Sequence, residues 1–304
     1  MTKRTLAFWF AFLCWGGAYV AARYLLTSEK NGVALSPLLL AALRFSIASL
    51  FFLFPLWRAL KQRHVTLRAL LVMALLGQLA FSLYYWLQYI GIQETDASIS
   101  AVLGIGLIPI FTALLARITG KERWGWLFLM CLILGFLGVA LVGFQKPPAL
   151  HPGFFLGVLC LVVNTFLFAL YTHLSKQWMQ EDIPPVVMTA GTMISGAIGL
   201  LFLSLLHPSD WRVIIYLSKV QWAAILFLAV GCSALAYFAY NAALSQMDAS
   251  RVTIYFYFEP VISIVLAIVL LGEQLTWQTV VGAVAISGAV IVAHAIGRQM
   301  HSNR

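Results

Sequence analysis

Apolar stretches of about 20 residues recur along the whole chain, each long enough to cross the ~30 Å hydrocarbon core of a bilayer as a helix. Ten can be marked in the 304 residues: Leu6–Leu26, Ser36–Trp57, Leu67–Ile90, Ser98–Ala116, Trp124–Phe144, Gly153–Leu174, Pro185–Leu206, Val220–Leu244, Val252–Leu271 and Trp277–Ala295. A soluble fold has nowhere to hide them, because 62% of the residues are hydrophobic and 10% charged against about 25% charged in soluble domains. In lipid every backbone N–H and C=O must be bonded internally, and runs of this length select helices over the ~10-residue alternating strands of a barrel. The expected fold is all-α, a polytopic membrane protein with ten transmembrane helices. The first run follows Lys3 and Arg4 as a signal peptide would, but it is long, contains Trp15 and Gly16 and lacks a small-residue cleavage site, so it reads as a retained helix.

The net charge of +9 would suggest nucleic-acid binding in a soluble chain, but here the basic residues sit in short loops. The side of the N-terminus collects thirteen Lys and Arg, among them Arg58, Lys61, Arg68, Arg117, Lys121 and Lys176; the other side has five, Arg23, Lys30, Lys146, Arg212 and Lys219. The positive-inside rule then puts both termini in the cytoplasm, with the bacterial inner membrane as the expected location and no nucleic-acid partner. Cys14, Cys131, Cys160 and Cys232 lie inside apolar runs without C-x-x-C spacing or histidine partners, which makes them small buried hydrophobes and leaves no metal or cofactor motif.

The two halves match at nearly constant offset. Tyr85 precedes Asp96-Ala97-Ser98 by eleven residues, and Tyr237 precedes Asp248-Ala249-Ser250 by the same eleven. Pro109 lies thirteen residues before Glu122 and Pro260 thirteen before Glu273, while Tyr19 and Tyr171, and Pro37 and Pro185, hold equivalent places. This divides the chain into residues 1–146 and 147–304. Because one copy is five helices, an odd number, the second must enter the membrane inverted, as in many transporters.

The doubled D-A-S … P … G … E pattern, W-G-G-A-Y at Trp15 to Tyr19 and L-R-F around Arg44 together resemble the drug/metabolite transporter superfamily, specifically its EamA-type members, over essentially the whole chain. The resemblance implies ten helices with cytoplasmic termini. It also implies a central cavity surrounded by helices one, three, four, six, eight and nine, with five and ten outside, and export of amino acids, other metabolites or cationic drugs. One departure stands out: the first repeat reads Leu107-Ile108-Pro109 where the second reads Phe258-Glu259-Pro260, with one extra residue between Asp96 and Pro109.

On the third run Gln78, Ser82, Tyr85 and Tyr89 share one helical face with Gln88 at its edge; the eighth repeats the idea with Ser233, Tyr237, Asn241 and Ser245, and the sixth with Asn164, Phe168 and Tyr171. Such stripes either line a wet cavity or glue helices together. The expected substrate site comprises Trp15, Tyr19, Tyr85, Gln88, Tyr89, Asn164, Tyr171, Tyr237, Asn241 and Tyr255. Trp57, Trp124 and Trp126 read as interfacial anchors. Gly135 and Gly138 on the fifth run, and Ala285 and Ala289 on the tenth, form small-residue faces suited to close packing, with dimerisation as the weaker reading. Glu122 and Glu273 read as residues at helix ends.

Arg44 and Glu259 are the charges placed deep inside spans. Each lies eight residues from its helix end, about 12 Å into the core at ~1.5 Å per residue, so their depths match, although the second helix could be too remote from the ninth for contact. Glu259 has three functional readings: counter-ion to Arg44, ligand for a cationic or amine substrate, or carrier of a coupling proton. A structural kink at Glu259-Pro260 is the plain alternative. An enzyme is not expected, since H-E-x-x-H, G-x-S-x-G and paired intramembrane aspartates are absent and the six histidines lie near helix ends or in loops. A channel would need a filter motif. The chain thus reads as an alternating-access exporter of a small molecule, monomeric or homodimeric.

Overall fold

A computed structural model describes residues 3–26, 33–62, 65–95, 97–121, 124–143, 152–181, 183–259, 261–262 and 276–302. Every element among them is helical. The α-helices of five or more residues are, in chain order, α1 (Lys3–Leu26), α2 (Pro37–Leu50), α3 (Leu53–Lys61), α4 (Leu67–Glu94), α5 (Ala97–Gly106), α6 (Ile108–Ile118), α7 (Trp126–Gly143), α8 (Phe154–Glu181), α9 (Pro185–Leu205), α10 (Lys219–Leu244), α11 (Ala249–Thr253) and α12 (Trp277–Ser302). Four of them, α4, α8, α9 and α10, are long and apolar enough on their own to cross a membrane, and α2 with α3 makes a fifth if the bent pair is one span. Half of the ninth predicted run, with Pro260, lies outside the described residues, as do Asp96, Glu122, Lys146 and Glu273.

Local chemistry explains where the helices start and break. Ser36 caps α2 through its Oγ, which accepts from the Leu39 N–H at 3.3 Å, and Pro37 occupies the first turn where its missing N–H is no loss. The 53° bend between α2 and α3 falls at Phe51–Phe52. Its cause is Pro55, which has no N–H for the carbonyl four residues back, that of Phe51, and whose ring crowds it. Pro109 sets the break at Leu107 in the same way and opens α6.

Helix packing runs through small residues. Gly77 of α4 and Gly196 of α9 face each other so closely that a Cβ on Gly196 would lie 2.7 Å from the Gly77 carbonyl oxygen. α7 packs along α12, where a Cβ on Gly138 would meet Ile286 at 2.8 Å and the Gly282 carbonyl at 2.9 Å. Ala289 is buried in the same contact region. These small-residue faces are therefore consumed within the chain. Leu71, Leu75, Phe155, Leu159 and Phe202 point outward, as lipid-facing residues should.

Candidate functional site

Arg44 lies two turns into α2 with 2% of its surface exposed. A buried guanidinium must find acceptors, and this one reaches across to two other helices. Nε donates to Ser233 Oγ at 2.6 Å, Nη1 to Tyr89 Oη at 3.0 Å, and Nη2 to Tyr85 Oη at 3.4 Å and to the Cys232 carbonyl at 3.3 Å. Its Cζ also sits 4.5 Å from the Tyr85 ring centroid, within cation–π range. No carboxylate among the described residues neutralises it.

The Cys232 carbonyl is available because α10 is not a regular helix there. Residues Phe227–Leu235 form a π-helical stretch, and the Ala236 N–H bonds the carbonyls of Gly231 and Ser233, passing over Cys232. The freed oxygen accepts from both Arg44 and the Trp15 indole, the latter at 2.7 Å. α4 carries a matching π stretch at Gln78–Leu83, whose Tyr84 N–H bonds Leu79 and passes over Ala80. The two stretches end at positions with the same 152-residue offset that separates Tyr85 from Tyr237. Those tyrosines meet, hydroxyl to hydroxyl, at 2.8 Å.

These groups border a cavity, with Trp15, Tyr19, Arg44, Tyr85, Gln88, Tyr89, Tyr237 and Glu259 all in its wall. Gln88 Nε2 donates to the hydroxyls of Tyr19 at 3.0 Å and Tyr84 at 3.1 Å. Gly104 makes room for the former, since a Cβ there would come within 2.8 Å of the Tyr19 oxygen. Trp15 stacks on Phe256 with centroids 5.3 Å apart. Glu259 is 2% exposed, faces the cavity, and its Oε1 has no hydrogen-bond partner. Arg44 and Glu259 line the same cavity, although no ion pair joins them. The space within which the centre of a water molecule fits is about 40 Å³, enough for roughly three waters at ~10–15 Å³ each and too small for a metabolite.

The remaining expected residues stand elsewhere. Tyr171 and Asn241 are bonded to each other at 2.8 Å one turn beyond the cavity wall. Asn164 is fully buried in α8 and outside the lining, and Tyr255 packs edge-on against Trp9 at 5.6 Å rather than facing the cavity. Gln78 and Ser82 glue α4 to α9, donating to the carbonyls of Ser195 and Gly196 at 2.6 and 2.8 Å. The reason is the π stretch: its extra residue per turn rotates the face, so Gln78 and Ser82 point to α9 while Tyr85, Gln88 and Tyr89 point inward. Sequence reasoning did not include Tyr84, Phe256 or the Cys232 carbonyl. Tyr84 is adjacent to Tyr85 and reaches the cavity only because of the same rotation, and nothing in side-chain identity announces a free carbonyl.

The cavity draws on α1, α2, α4, α5, α6, α8, α10, the 3-10 turn Ile254–Tyr257 and Glu259 just after it, and not on α7, α9 or α12. A sequence profile of the EamA-like transporter family matches the chain twice, over residues 4–144 and 155–294. An uncharacterized transporter of Archaeoglobus fulgidus is 26% identical over 269 residues, covering 88% of this chain and 90% of that protein. The uncharacterized transporter YyaM of Bacillus subtilis is 27% identical over 272 residues, 86% of each. A solved crystal structure superposes with a TM-score of 0.77 at 20% identity over 98% of each chain, a likeness of fold.

Proposed function

Because the chain belongs to the EamA-like transporter family and is a multi-pass membrane transporter, we propose that it exports amino acids or related small zwitterions across the bacterial inner membrane by alternating access. The observation that carries this reading is a cavity wall holding one buried cation and one buried carboxyl, unpaired with each other. Arg44 uses four of its five N–H donors on neutral partners, which leaves one Nη1 hydrogen and the whole positive charge for a substrate carboxylate. The unpartnered Oε1 of Glu259 suits a substrate ammonium. Between them, the rings of Trp15, Tyr84, Phe168 and Phe256 offer an apolar surface for a side chain. At about 40 Å³ the cavity is too small for an amino acid in the present state, so substrate binds after the helices part.

The supporting architecture is two inverted five-helix units, residues 1–146 and 147–304, giving ten spans with both termini cytoplasmic. The paired π stretches and the doubled family match agree with that division. Protons are the proposed coupling ion, carried by Glu259.

Efflux of hydrophobic cations is the second reading, favoured by the aromatic lining and by Glu259. A thermal-shift screen of purified protein against amino acids, nucleosides, polyamines and lipophilic cations separates the two, because ligands of the folded state raise its stability. Amino acids should stabilise the wild type and fail to stabilise Arg44→Leu. Stabilisation by lipophilic cations alone, undiminished in Arg44→Leu, would overturn the amino-acid assignment. In proteoliposomes Glu259→Gln should lose proton-driven transport while keeping counterflow if the carboxyl carries the proton.

A further inference from the structure

Beyond the cavity, towards the end of the bundle that carries Lys121 and Lys176, the packing between α8, α9 and α10 is polar where an apolar seal would suffice. Asn241 lies one turn past the cavity residue Tyr237 on α10, and Tyr171 one turn past Phe168 on α8. Asn241 Nδ2 donates to Tyr171 Oη at 2.8 Å and to Thr189 Oγ1 at 2.9 Å. Ser175 and Thr192 approach the same tyrosine hydroxyl. All five side chains are completely buried. Two of their oxygens, Asn241 Oδ1 and Ser175 Oγ, have no partner.

Position along the helices makes this seam continuous with the cavity at one end and close to the surface at the other. Tyr237 is seven residues from the end of α10, about 10 Å, whereas Thr189 is four residues from the start of α9, about 6 Å. The cluster has no metal-binding character, as no group of three His, Cys, Asp or Glu occurs among the described residues. Buried polar atoms without partners are unfavourable in a membrane interior and become satisfied when water reaches them. A side-by-side contrast is the α4–α9 contact, where Gln78 and Ser82 find acceptors and glycines close the gap.

We propose that the seam of Tyr171, Ser175, Thr189, Thr192 and Asn241 is the cytoplasmic passage to the central cavity, closed in this state and wetted when α9 separates from α8 and α10. The proposal rests on the alternating-access reading and names which face opens. In the alternate state, water fills the seam and completes the bonds of Asn241 Oδ1 and Ser175 Oγ, so the same groups that weaken the closed seal stabilise the open one.

Cysteine labelling with a membrane-impermeant, charged methanethiosulfonate tests it, scored above the background of the four buried native cysteines. Ser175→Cys is nearly isosteric, with Thr192→Cys as the substitute if that variant does not assemble; Met193→Cys, buried on the same helix and absent from the seam, is the control. Ser175→Cys should label at least tenfold faster in inside-out than in right-side-out vesicles, and tenfold faster than Met193→Cys. Tyr19→Cys, in the cavity wall, should label from both sides. Inert seam cysteines with Tyr19→Cys reactive from both sides would leave alternating access standing and overturn this passage. Tyr19→Cys reactive from a single side would remove the reading on which the passage depends.

Discussion

Replacing Arg44 by lysine keeps the positive charge and removes the planar fork. Two of the four hydrogen bonds are short, Nε to Ser233 at 2.6 Å and Nη1 to Tyr89 at 3.0 Å. They leave from different nitrogens toward different helices, α10 and α4. A single ammonium on an unbranched stem retains one of these directions and loses the other, as well as the face-on contact with Tyr85 at 4.5 Å. The free Nη1 hydrogen left for a substrate carboxylate goes with the fork, and at roughly 1.5–3 kcal/mol for a hydrogen bond to a charged group substrate affinity should fall about 10- to 100-fold. Arg44→Leu is the companion variant. It removes a buried charge whose insertion costs about 2.5–3.5 kcal/mol, and it orphans the Ser233 and Tyr89 hydroxyls at about 1–3 kcal/mol each. These effects oppose one another, so folded yield in detergent should change modestly. Tyr85 keeps Tyr237 and the Cys232 carbonyl keeps Trp15. Amino-acid counterflow in proteoliposomes, read beside thermal stability, is the assay: the lysine variant should show a raised KM, and the leucine variant should be folded and inactive. Wild-type KM in Arg44→Lys, or counterflow retained in Arg44→Leu, would refute the assignment of the guanidinium to substrate.

Three further outcomes are expected. In a double-mutant cycle, Tyr85→Phe and Tyr237→Phe should couple by about 1 kcal/mol in thermal stability, the size of one hydroxyl pair; additive effects would mean the hydroxyls do not meet in solution. Gly196→Val should abolish folded protein by fluorescence-detected gel filtration, because its side chain meets Phe81 and the Gly77 backbone, whereas Gly288→Ala, with open space around it, should be tolerated. Reporter fusions after Lys121 and Lys176 should behave as cytoplasmic and one after Lys146 as external, and the reverse at either end would contradict the charge-based orientation.

Helix positions were readable because lipid imposes one rule on every span, and α9 at Pro185–Leu205 lies within one residue of its apolar run. α8 continues through Glu181, well past the apolar limit at Leu174, because a helix does not stop where the membrane does. Arg44 was legible from sequence, since a lone deep cation announces itself. Its reach to α4 and α10 was not, because a long side chain crosses gaps that helix order alone implies. The polar stripes lie on helices that border the cavity but blur the faces: a period of 3.6 carried through α4 puts Gln78 with Tyr85, and the π stretch separates them. Tyr171 and Asn241 are polar for a reason, yet sequence could not tell a cavity wall from the closed seam one turn away.

The matched π stretches also give the two sequence repeats one shared local device. A widened turn leaves a carbonyl outside the helix's own ladder, and such turns occur where that oxygen has a use. The stretches end at corresponding positions of the two repeats, 152 residues apart. At Cys232 the freed carbonyl holds Trp15 and Arg44, and at Ala80 it holds neither, so one of two equivalent acceptors has become the anchor of the buried cation and the other has been left idle.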